Sequence, residues 1–106
     1  MSVQHKALLA IGLKEDQIDF DEINDPEASF EDEFLITADN WEAYDRDYIY
    51  GYVVCEVDEG QMIPCLTDKM FQRMADLEME LENRLREYGL EKTLDDINVY
   101  LICQVD

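Results

Sequence analysis

Apolar residues recur along the chain at two different spacings, and the switches between them mark its elements. Val3, Ala7, Leu8 and Ile11 share one helical face, with Ser2 as N-cap and Gly12 as a stop. That spacing predicts a short helix over about residues 2–12. Ile18 and Phe20 then alternate with Asp19 and Asp21, as in a short half-buried strand. Asn24-Asp25-Pro26 breaks the pattern, and residues 24–32 read as an acidic loop. Phe34-Leu35-Ile36-Thr37 has strand composition, ended by Asp39-Asn40. Trp41 to Asp47 is an acidic, aromatic connection with no period of its own.

The second half is patterned more sharply. Tyr48–Val57 and Gln61–Leu66 flank Asp58-Glu59-Gly60, which predicts a hairpin whose second arm Pro64 confines to an edge. Thr67 can cap a long helix with Asp68 in its first turn. Met70, Phe71, Met74, Leu77, Leu81, Leu85 and Tyr88 recur at three- and four-residue steps, and Gly89 closes the helix. Ile97, Val99, Leu101, Cys103 and Val105 alternate with Asn98, Tyr100, Ile102 and Gln104 in a last strand, apolar enough on both faces to be central. The expected fold is α+β: a sheet of three to five mainly antiparallel strands, with the long helix packed on it and the short N-terminal helix beside it. The expected core includes Phe71, Met74, Leu77, Leu81, Val99 and Leu101. At 106 residues and 47% hydrophobic, the chain has the size and apolar content of one folded domain.

Charge changes the picture. Glu15–Asp47 holds fourteen acids and one basic residue, Arg46, a net −13 out of −19 for the chain. Solubility needs a net charge of only about 2–8 in a small domain. Like charge at this density strains a fold by self-repulsion, and it imitates the phosphate surface of a duplex. A solvated face is the competing explanation, and calcium chelation a third, although the EF-hand pattern is absent. So acidic a chain is not expected to bind nucleic acid directly or an anionic membrane surface.

Catalytic and metal chemistry find little support. His5 has no expected partner, so a Cys–His nucleophile pair is not supported. Cys55, Cys65 and Cys103 lack the close pairing of a zinc site or a disulfide framework and read as small core residues. No phosphate-binding glycine loop, signal peptide or membrane-length apolar run is visible. The expectation is a cytoplasmic protein without cofactor or metal, and not an enzyme.

In length, acidity and α+β pattern the chain resembles the small acidic inhibitors that phages and mobile elements direct against DNA-handling host enzymes. These include DNA-mimic anti-restriction proteins, uracil-DNA glycosylase inhibitors and acidic anti-CRISPR proteins. No motif matches residue by residue. The resemblance implies a stoichiometric inhibitor, anti-CRISPR or anti-restriction in kind, which fills a basic nucleic-acid groove; the chain itself is expected to be a monomer or dimer. Its partner would be a basic protein, either a nucleic-acid-binding enzyme or a Cas effector, in the host cytoplasm. The candidate contact residues are Asp19, Asp21, Glu22, Glu31, Asp32, Glu33, Trp41, Tyr44, Asp45, Asp47 and Tyr50, with Glu56, Asp58 and Glu59 at the hairpin tip. The alternative is an acidic adaptor that docks a basic partner through aromatics, for which Tyr48, Tyr50 and Tyr52 would form a platform. The same tyrosines would otherwise pack beneath the long helix.

Overall fold

The computed structural model describes residues 5–24, 29–38 and 47–105. It is α+β, with one antiparallel four-stranded sheet and one long helix.

The sheet is built around strand β1, His5–Lys14, which takes the place of the expected N-terminal helix. Ala7–Leu13 is apolar at nearly every position, so it fits a helical stripe and a doubly buried strand equally well. The second wins because β1 is central, lying between β3 (Asp47–Asp58) and β4 (Asn98–Val105) and buried on both faces. Gly12 serves a close approach and not a helix stop. A Cβ on Gly12 would lie 2.3 Å from the Tyr50 carbonyl oxygen, and one on Gly51 would lie 2.0 Å from that of Ile11. Only glycine fits on either side of this crossing.

Strand β2, Leu35–Ala38, pairs with the start of β3, giving the order β2-β3-β1-β4. The register between β1 and β3 steps from Leu9↔Cys55 to Ala10↔Val53 and leaves Val54 as a bulge. A bulge bends its strand and tightens the twist. The sheet accordingly curls until β2 approaches β4, although the two stand at opposite edges. Leu8, Ala10, Ile36, Ile49 and Ile102 fill the face enclosed by this curl.

The other face carries the helices. Helix α2, Asp68–Glu87, begins as expected at Thr67, whose Oγ1 accepts a hydrogen bond from the Met70 N–H at 3.2 Å. It closes at Gly89, which has φ +84°. Leu81 and Leu85 are fully buried against Leu13, Ile18, Tyr50, Tyr88 and Leu90. A five-residue helix, α1 (Phe30–Phe34), stands where the end of the acidic loop and the first residue of a strand were expected. Phe30 and Phe34 are one helical turn apart, and both rings enter the same core. In place of the expected strand at Ile18 and Phe20 there are two 3-10 turns, Glu15–Gln17 and Phe20–Glu22.

Three further expectations are corrected. Gln61–Leu66 forms no second hairpin arm, because β3 takes β1 and β2 as its partners. The turn itself is present, with Gly60 at φ +83°. The last strand is at an edge instead of the centre. Of the six expected core residues only Leu81 is buried. Phe71, Val99 and Leu101 are 52%, 41% and 76% exposed, because α2 packs over β3 and β1 while the far side of β4 stays open. The Asp25-Pro26 part of the expected turn, and the Asp39-Asn40 strand end, lie outside the described residues.

Candidate functional site

The acidic segment is shaped by what it must bury. Ile18, Phe30 and Phe34 point into the core, and Ile23 packs against it. The residues between them are forced outward, leaving Glu15, Asp16, Asp19, Asp21, Glu22, Glu31 and Asp32 exposed. Local hydrogen bonds hold the two turns. The Gln17 side chain accepts from the Lys14 N–H at 3.0 Å, and Asp19 Oδ1 accepts from the Asp21 N–H at 3.1 Å. Among the described residues none of these seven acids forms an ion pair.

Glu33 behaves differently. Arg84 grips its carboxylate with two bonds, Nε to Oε1 at 2.7 Å and Nη2 to Oε2 at 2.9 Å. The Tyr88 hydroxyl donates to Oε2 at 2.7 Å and lies 3.1 Å from Ser29 Oγ. The bonds to Glu33 push the Arg84 guanidinium pKa up. Arg84 also pairs with Glu87, one turn along α2. At Tyr88 the Ser29 bond lowers the phenol pKa, but the Glu33 bond and burial outweigh it and the net shift is upward. Glu33 therefore tethers α1 to α2, and its charge is already answered.

The other candidates do not form one footprint. Glu56, Asp58 and Glu59 are exposed, but they sit at the His5 end of β1, where Asp58 pairs with Lys6. The acidic turns follow Lys14 at the other end. Along β1, Leu8 opposite Glu56 and Lys6 opposite Asp58 stand roughly 20 Å and roughly 26 Å from Lys14. Glu56 is also 3.5 Å from Lys6 Nζ. Tyr50 is 3% exposed, stacked on Phe30 at 5.5 Å and edge-on to Phe20 at 5.5 Å. It offers no surface to a partner, and the tyrosine face is the packed one. Burial first, then the charges of Glu31 and Glu15, raise the Tyr50 phenol pKa, so the acidic surface is felt in the core below it. Asp47 pairs with Ala38 at the start of β3. Trp41, Tyr44 and Asp45 lie outside the described residues.

The fold also adds acids that local density did not single out. The Asn24 N–H donates to the Tyr88 carbonyl at 2.9 Å, which lays the acidic segment against the end of α2. Exposed Glu87 and Glu91 are borne there. They lie more than fifty residues away in sequence, so no windowed charge count could join them to Glu22.

Cys55 is half-buried while Cys65 and Cys103 are exposed, so the expectation of three core cysteines is corrected. No group of three or more His, Cys, Asp or Glu side chains among the described residues is placed to hold a metal ion. No described helix is long and apolar enough to cross a membrane. Comparison with protein-family models, with curated proteins and with solved structures finds no match.

Proposed function

We propose that this protein is a stoichiometric inhibitor that presents carboxylates to the basic groove of a nucleic-acid-binding enzyme. The observation that carries the proposal is the row Glu15, Asp16, Asp19, Asp21, Glu22, Glu31 and Asp32, all exposed and none in an ion pair among the described residues. A folded chain tolerates such repulsion at a cost, and a partner rich in Lys and Arg relieves it. Arginines of the groove engage carboxylates bidentately, as Arg84 does Glu33 within this chain. Restriction enzymes and Cas effectors are the target class we favour, met in the bacterial cytoplasm, since both hold nucleic acid in basic channels. The mode is occupancy, with no bond made or broken.

The test is a group substitution. Replacing Glu22, Glu31 and Asp32 together by their amides should strongly reduce capture of the target from a bacterial lysate. Each single amide should alter it modestly, because the surface acts through summed potential. Glu33 stays untouched, since its loss would unfasten α1. Undiminished capture by the folded triple variant would count against the proposal and return the acids to the role of a solvated face.

A further inference from the structure

We propose that the outer edge of β4 is the contact strand of a two-fold dimer of this chain, independent of the charge-based function above. The strand and the residue before it, Ile97–Val105, carry no charged side chain, in a chain with 27 acids. Its neighbour β1 carries only His5, Lys6 and Lys14 as titratable groups. Val99, Leu101 and Cys103 alternate outward on the face opposite Ile102 and are all exposed. No described strand pairs with β4 beyond β1. Natural edges are usually blunted by lysine, proline or a bulge. The β4 edge has none of these, and it runs for eight residues.

A second copy is the occupant that this pattern fits. A net charge of −19 repels another copy, and Ile97–Val105 is an acid-free stretch where that repulsion is least, bounded by Asp96 and Asp106. The strand is also self-complementary when two copies run antiparallel about Leu101. Leu101 then meets Leu101, Tyr100 meets Ile102, Val99 meets Cys103, and the polar ends Asn98 and Gln104 meet each other. A two-fold contact requires this reciprocity of residues. A basic partner, by contrast, is drawn to the acidic turns beyond Lys14.

Sedimentation of the whole chain across concentrations tests the assembly. We expect reversible dimers that tighten as salt rises, because salt screens the repulsion between copies. This trend is opposite to that for a basic target, so failure here and failure of the inhibitor proposal are told apart. Leu101→Glu adds a charge at an exposed position, so the fold should survive by circular dichroism. It should weaken dimerisation by at least about tenfold. A wild-type monomer up to millimolar concentration overturns the proposal, and so does a Leu101→Glu variant that dimerises as wild type. The pairing has its own test, since opposed strand residues are spaced for a disulfide. In a Cys65→Ser background, Val99→Cys should give an oxidised dimer that disappears when Cys103→Ser is added. A cross-link that persists without Cys103, or none at all, overturns the two-fold pairing.

Discussion

Glu33 shows how little a residue's type says about its task. It sits in the sequence Glu31-Asp32-Glu33, three acids of equal standing, yet only Glu33 faces Arg84 and Tyr88. Helical periodicity explains the difference: within α1, Phe30 and Phe34 are buried, and Glu33 flanks that buried edge while Glu31 and Asp32 face water. The signal was present as the i, i+4 spacing of the two phenylalanines, but five residues are too few for a period to stand out against a loop. Phe30→Ala should cost about 3–5 kcal/mol by denaturant titration, since the ring packs on Tyr50, Phe34 and Tyr88. The buried tyrosines predict a pH dependence. Tyr50 and Tyr52 have folded pKa values above the ordinary 10.0, first because burial disfavours the phenolate. Their contribution is whole below that value and is lost as pH rises through the folded pKa. Melts taken between about pH 9 and about pH 11 should therefore fall in temperature, and Tyr50→Phe should reduce the slope.

At the scale of elements, α2 was legible almost to the residue. Thr67, Gly89 and a long three- and four-residue stripe all agree there, and tertiary packing had nothing to overrule. Its depth of burial was not legible, because the same stripe serves a helix that overhangs β3 and β1 without reaching across β4. The sequence of β1 suits a helix as well as a strand, because a nearly continuous apolar run carries no period of its own. What decides it is the β3 partner, some forty residues away. Two glycines separate the roles of space and backbone conformation. Gly51→Ala should be severely destabilising or unfold the protein, because the new methyl meets backbone at 2.0 Å. Gly60→Ala should cost only about 1 kcal/mol, since nothing lies within 4 Å and only the positive φ is penalised. Urea titrations of the two variants check this ranking.

At the scale of the molecule, the excess of acid was plain from the sequence, and its distribution was not. Glu15, Asp16, Asp19, Asp21, Glu22, Glu31 and Asp32 are each exposed, while the hairpin acids belong to the far end of β1. The charge has a consequence for the free protein. Raising salt from low to moderate ionic strength should raise the melting temperature, because repulsion among unpaired acids is screened over about 10 Å at 0.1 M.

Charge imitation of nucleic acid is the central claim, and competition by nucleic acid addresses it most directly. The immobilised protein is loaded with the target it captures from a bacterial lysate, and duplex DNA is titrated in at fixed salt. DNA should release the target in proportion to its concentration, and a neutral polymer at the same mass should release none. A target that stays bound at saturating DNA would contradict the account.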